Sequence, residues 1–75
     1  MQVKYPNKRK AKELIRKVAF NIKRFRMKEG LTQEQLAGKT SITIQRCESG
    51  KNDMTLTTIN ILSEHLNVEP YELLK

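Results

Sequence analysis

The segment from residue 38 to 52, GKTSITIQRCESGKN, holds the side chains best suited to recognising another molecule. Gln45 carries an amide that can pair with the edge of adenine, and Arg46 carries a guanidinium that can pair with guanine or a phosphate. Ile42 offers an apolar surface of the kind that meets the methyl group of thymine. The chemistry available in this segment is therefore noncovalent, namely hydrogen bonding and apolar contact of the kind that nucleic-acid recognition can use.

Catalytic and metal-binding patterns are missing from the sequence. There is one cysteine, Cys47, and one histidine, His65, so neither an intrachain disulfide nor a Cys/His metal cluster can form. No spacing suggests a nucleophile with its base. We therefore expect no enzymatic activity, no cofactor and no small-molecule ligand. We expect Cys47 to be a small buried hydrophobic residue.

Charge is concentrated in the first part of the chain. Residues 1–28 carry eleven basic side chains and one acidic one, 11 − 1 = +10, and residues 29–75 carry 4 − 7 = −3, which together give the +7 of the chain. Such a segment predicts a polyanionic partner, first a nucleic acid and second an anionic membrane, whereas a solvated helix face is the alternative. No signal peptide or membrane-spanning stretch is visible, so we expect a cytoplasmic protein that does not enter a membrane.

Helical periodicity places these side chains on a scaffold. A long first helix, capped by Asn7 and ended by Gly30, is predicted from an apolar stripe of period 3.6. The stripe consists of Ala11, Leu14, Ile15, Val18, Ala19, Ile22 and Phe25. Thr32 and Gln35 have the spacing of a capping box, so a second helix begins at Gln33.

A third helix is predicted to end at Gly50, and two more helices follow it. Thr55 or Thr57 opens the fourth helix and Asn67 ends it, and Pro70 begins the fifth. The stripe of the fourth helix consists of Leu56, Ile59, Leu62 and Leu66. No strand pattern appears, so the sequence predicts an all-α fold of five helices.

Three segments taken together resemble the Cro/phage-repressor (XRE-type) helix-turn-helix family: IKRFRMKEGLTQEQLA, IQRCESGK and LTTINILSEHLNVEPYELL. The resemblance runs roughly from Val18 to Leu74. It implies a compact five-helix bundle of the lambda-repressor-like type that binds duplex DNA with sequence specificity. We expect residues 1–17 to be a basic N-terminal extension continuing into the first helix, and residues 18–75 to be the helix-turn-helix domain.

The resemblance also implies roles for individual residues. Gln33 matches a glutamine that touches a backbone phosphate at a helix N-terminus, where free N–H groups favour an anion, and that also braces the reading helix. Arg26 and Glu48 match positions that form an ion pair between the first and third helices. The candidate DNA contacts are Thr32, Gln33, Lys39, Thr40, Ser41, Ile42, Thr43, Gln45, Arg46, Lys51 and Asn52.

The helix-turn-helix itself is about three residues shorter than the family usually has, and two arrangements fit. In the arrangement that we favour, residues 38–40 form the turn and Thr40 caps a reading helix over residues 41–49. The reason is that a glycine inside a helix costs about 1 kcal/mol. In the other arrangement, the second helix runs through Gly38, Ile42 packs the turn onto the core, and Thr43 caps a short reading helix.

Two classes of function remain open at this point. The first is a DNA-binding transcriptional regulator that acts as a homodimer on a two-fold-symmetric operator, because one reading helix covers few base pairs. Dimer contacts are then expected from residues 71–74 and the end of the fourth helix. The second is a protein-interaction module on the same fold, of the antitoxin or coactivator type, that binds DNA weakly. In either case Lys8, Arg9, Lys10 and Lys12 can form a non-specific arm, a solvated helix extension or a dimer contact.

Overall fold

The computed structural model describes residues 8–75, with side chains from Lys10 onward, and these residues form five helices. The helices are α1 (Lys8–Lys28), α2 (Gln33–Thr40), α3 (Ile44–Glu48), α4 (Leu56–His65) and α5 (Pro70–Leu74). The predicted all-α bundle is thus confirmed. The proposed cap Asn7 lies outside the described residues. Within the described range, no helix is both long and apolar enough to cross a bilayer.

One hydrophobic core joins all five helices. Its buried residues are Val18, Ile22, Phe25, Leu36, Ile44, Cys47, Ile59, Leu62, Leu66 and Leu73. Helix α1 packs against α3 and α5, and α4 packs against α2 and α5. Four of the helices have ten residues or fewer and would not be stable alone. The bundle therefore depends on this core, where each fully buried Leu or Ile contributes about 2 kcal/mol.

Four members of the predicted stripes are not core residues. On α1, Ala11 is exposed and Ile15 is only half-buried. Leu56 is 81% exposed and Leu14 is 48% exposed. On α1 these residues are in line with the buried stripe but precede Val18, its first buried member, whereas Leu56 in the first turn of α4 lies about 60° around the helix from Ile59. The predicted stripes therefore began too early on α1 and on α4.

The helix ends follow the predicted local chemistry. Gly30 has a φ of 71°, and the N–H of Leu31 donates to the carbonyl of Arg26 at 3.1 Å, which closes α1. Thr32 and Gln35 form the predicted capping box at the start of α2. Asn67 has a φ of 58° at the end of α4, and Pro70 is in the first turn of α5.

The favoured arrangement of the helix-turn-helix is wrong, and the other arrangement is correct. Helix α2 runs through Gly38 to Thr40, and Ser41, not Gly38, takes the left-handed conformation with a φ of 60°. Ile42 is half-buried against the core. Thr43 occupies the N-cap position of α3, although its side chain makes no capping hydrogen bond. The helix that the sequence predicts to read DNA therefore has five residues, not nine.

Hydrogen bonds and burial explain why this turn forms. The N–H of Ser41 donates to the carbonyl of Ala37 at 2.8 Å. The hydroxyl of Thr40 donates to the carbonyl of Leu36 at 2.9 Å and accepts from the N–H of Ile42 at 3.2 Å. Together with the burial of Ile42, these bonds outweigh the cost of about 1 kcal/mol for keeping Gly38 in a helix.

Candidate nucleic-acid interface

Helix α3 has a buried face and an exposed face. Ile44 and Cys47 are 1% and 6% exposed and enter the core. Gln45 and Arg46 are exposed on the other face, as both sequence arrangements predicted. Two side chains that can hydrogen-bond to bases are therefore presented on a short rigid element.

An ion pair fixes α3 to α1. The guanidinium of Arg26 donates from Nε to Oε2 of Glu48 at 2.6 Å and from Nη2 to Oε1 at 3.0 Å, which confirms the predicted pair. The side chains are only 10% and 3% exposed. Bonding to the Glu48 carboxylate raises the pKa of Arg26 above its ordinary value, although burial acts in the opposite direction. Arg26 also donates to the carbonyl of Leu31 at 2.7 Å, so the same guanidinium holds the end of α1.

Gln33 joins this ion pair. Its amide nitrogen donates to Oε1 of Glu48 at 3.0 Å, which agrees with the expected contact of Gln33 with the third helix and identifies its partner. The carboxylate accepts only, so it orients the amide of Gln33 and leaves the second N–H and the carbonyl oxygen of that amide available. The first residue of α2 is thus held against the last residue of α3.

A second network covers the C-terminal end of α3. A guanidinium nitrogen of Arg46 donates to the side-chain oxygen of Asn52 at 3.3 Å, and the amide nitrogen of Asn52 donates back to the carbonyl of Arg46 at 3.3 Å. The hydroxyl of Ser49 donates to the same carbonyl at 2.8 Å and accepts from the N–H of Lys51 at 3.2 Å. Arg46 therefore lies back along the loop after α3, a restraint that no sequence pattern indicated.

The predicted DNA contacts fall into three groups. Five line a shallow concavity of about 420 Å³ between α2 and α3: Gln33, Ser41, Ile42, Thr43 and Gln45. Three lie beyond it, at the C-terminal end of α3 and in the following loop: Arg46, Lys51 and Asn52. Thr32 and Thr40 use their hydroxyls in helix-end hydrogen bonds, and Lys39 is exposed in the last turn of α2.

Two acidic residues at this surface were not among the sequence candidates. Glu34 lines the concavity between α2 and α3, and Asp53 lines a second one of about 270 Å³ beside Arg46 and Asn52. The position of Glu34 directly after Gln33 could have indicated it. A carboxylate repels phosphate but can accept a hydrogen bond from the amino group of cytosine. These two residues would therefore disfavour a phosphate beside them and favour an amino group.

Cys47 is a core residue, and its surroundings make its thiol unreactive. Burial raises the pKa of the thiol above its ordinary value, and the neighbouring carboxylate of Glu48 adds to the increase. A buried thiol that stays protonated is a poor nucleophile. The predicted role as a small buried hydrophobic residue is confirmed.

Comparisons with known proteins agree with this geometry. The helix-turn-helix family profile matches residues 22–73. No curated protein gives a match. The crystal structure of a hypothetical transcription factor, NHTF, from Neisseria has a similar fold, with a TM-score of 0.79 and 24% sequence identity over 100% of this chain and 86% of that one. The match to the family profile covers most of the chain, which therefore belongs to the helix-turn-helix family of DNA-binding domains, in its Cro/phage-repressor (XRE-type) form.

Proposed function

We propose that the protein is a small transcriptional regulator that binds duplex DNA with sequence specificity and places α3 in the major groove. The observation that carries this proposal is the exposed pair Gln45 and Arg46 on a helix whose other side is fixed in the core. The major groove presents a distinct pattern of donors and acceptors for each base pair, and a helix fits into it.

Gln45 is the proposed base-reading residue. It is exposed and lines the concavity between α2 and α3, and its amide can bond to N6 and N7 of adenine. Arg46 first has to leave Asn52, and it then contacts a guanine or a phosphate close to that side chain. The hydroxyls of Ser41 and Thr43 lie at the rim of the same concavity, where they can bond to a base or a phosphate.

A second set of residues would position the domain on the backbone. Gln33 is oriented by Glu48 and keeps one N–H for a phosphate at the start of α2. Lys39, Lys51 and Asn52 flank α3 and can contact phosphates on either side. We assign Thr32 and Thr40 to the helix ends and Ile42 to the turn, because their hydroxyls and side chain already have partners within the domain.

We further propose that two copies pair on a two-fold-symmetric operator. Tyr71 and Leu74 of α5 are 59% and 42% exposed, and Leu74 lines an apolar concavity of about 210 Å³ with Leu14 and Leu56. Asp53 and Met54 of the loop after α3 line it as well, so a second copy seated there would bring two reading helices close together. In this proposal α4 contributes to the pairing through Leu56 at its start, whereas the sequence suggested the end of the helix. Sedimentation equilibrium tests the pairing, and a monomer at high micromolar concentration, free and on DNA, would refute it.

Selection of bound sequences from random duplexes tests the proposed DNA recognition. We expect a defined consensus for the protein, and we expect Gln45→Ala to lose its preference at one base pair, worth about 1–3 kcal/mol. Asn60→Ala, an exposed polar residue of α4, is the matched control and should leave the consensus unchanged. If no sequence is enriched and binding stays at the non-specific level, the proposal fails and a protein-interaction module on the same fold takes its place.

A further inference from the structure

The N-terminal half of α1 meets the end of α3 at Gly50. Gly50 has a φ of 75°, and a β-carbon there would lie 3.4 Å from Cγ of Arg16. Beside this contact is a concavity of about 230 Å³, lined by Lys12, Ile15, Arg16, Gly50 and Lys51. Two cations from α1 and one from the loop after α3 are thus gathered on one surface.

These three cations have no counter-charge in the part of the chain that the structure describes. No carboxylate lines the concavity, and the side chains of Lys12, Arg16 and Lys51 are exposed and make neither an ion pair nor a hydrogen bond among residues 10–75. Arg26 on the same helix differs, because Glu48 neutralises it. Gathering like charges without a partner is unfavourable unless an anion joins them. The concavity therefore has the character of an incomplete anion site.

We propose that Lys12, Arg16 and Lys51 bind phosphates of the DNA backbone that flanks the base pairs read by α3. The inference rests on the proposed function and adds to it a contact site from α1. The ligand is a run of phosphodiesters instead of a single phosphate, because Lys12 and Arg16 are one helical turn, about 6 Å, apart along α1.

The position of the site favours DNA over another polyanion. Lys51 lies three residues after the end of α3, and its N–H is bonded to Ser49 in the network that also holds Arg46. A duplex seated on α3 would therefore pass the same concavity. Lys12 and Arg16 precede residues 22–73, which match the family, so this contact is an addition made by the basic extension of this chain.

The test measures affinity against salt by fluorescence anisotropy, with a duplex carrying the selected consensus and a scrambled duplex of the same composition. The variant K12Q/R16Q removes two charges and keeps most of the side-chain stem that packs beside Gly50. We expect the slope of log affinity against log salt to become shallower by about 1.8, that is about 0.9 for each lost phosphate contact. Affinity at 0.1 M salt should fall about tenfold or more on both duplexes, with the ratio between them unchanged.

The control K17Q/K28Q removes the same charge from another side of α1. Both residues lie on the side of Asn21, whose amide donates to the carbonyl of Leu73 in α5 at 2.9 Å. We expect the control to leave the slope nearly unchanged. A K12Q/R16Q variant that behaves like this control, in a protein that still discriminates the two duplexes, would overturn the inference alone.

Two further outcomes separate the inference from the proposed function. A change in the ratio between the duplexes would mean that α1 reads bases, and it would also overturn the inference. A starting protein that does not discriminate the duplexes would instead overturn the proposed function on which the inference rests. A third outcome would assign the site to a membrane. In it, the protein binds neither duplex but binds anionic vesicles at the same salt concentration, and K12Q/R16Q abolishes that vesicle binding.

Discussion

Glu48→Gln tests how strongly α3, the proposed reading helix, is held in place. The substitution leaves the guanidinium of Arg26 at 10% exposure without its counter-charge, and it turns an acceptor that serves Arg26 and Gln33 into a group with one acceptor oxygen. Removing one partner of a buried pair costs about 3–5 kcal/mol. Arg26 keeps its bond to the carbonyl of Leu31, so we expect the lower end, about 3 kcal/mol.

A loss of this size is easily measured in a chain of 75 residues. Domains of this length have a total unfolding free energy of about 4–11 kcal/mol, so the midpoint of urea unfolding, followed by circular dichroism, should fall by a large fraction. The exposed carboxylate of Glu64 provides the control, and Glu64→Gln should leave the midpoint unchanged. A loss below about 0.5 kcal/mol for Glu48→Gln, the size of a surface pair, would refute the reasoning.

Three further predictions concern the turn and the core. Ile42→Ala should lose about 2 kcal/mol of unfolding free energy with the DNA consensus unchanged, whereas a changed consensus without loss of stability would restore Ile42 as a groove contact. Gly38→Ala should stabilise the protein by about 1 kcal/mol, since Gly38 is inside α2 with no atom within 4 Å of an added β-carbon, and a lower melting temperature would contradict this. Burial raises the pKa of Cys47, so the unfolded thiol ionises first, and the stability from this shift is fully present well below pH 9 and is lost as the pH rises through 9. Cys47→Val should remove this loss between pH 8 and 10, and parallel pH curves for the two proteins would contradict it.

Local chemistry was enough to predict the helix ends. Gly30, Thr32, Asn67 and Pro70 each act through the few residues next to them, so their effects can be seen in a short window of sequence. The buried stripe of α1 was equally visible because its period is a property of one helix. These signals predict the five helices and the faces that pack into the core.

The turn could not be predicted in the same way. The local cost of Gly38 in a helix is about 1 kcal/mol and argues for the wrong arrangement. The burial of Ile42 against the core, which decides the matter, depends on helices that are distant in the sequence. The bond from Gln33 to Glu48 is likewise a product of tertiary placement, since it joins two helices across 15 positions of sequence. The bond from Arg46 to Asn52 depends on the path of the loop after α3, which no sequence pattern indicated.

Helix α3 is short, and within it the residues that stabilise the fold are different from those proposed to recognise DNA. Three of its five residues serve the domain: Ile44 and Cys47 are in the core, and Glu48 is in the ion pair. Gln45 and Arg46 serve the surface and contribute little to the core, so substitutions there change stability by little. Under the proposed function, a new operator preference is accessible through one or two amino-acid changes, with no compensating change needed elsewhere. In evolutionary terms, such a reading helix can diverge in specificity quickly while the bundle that carries it stays the same.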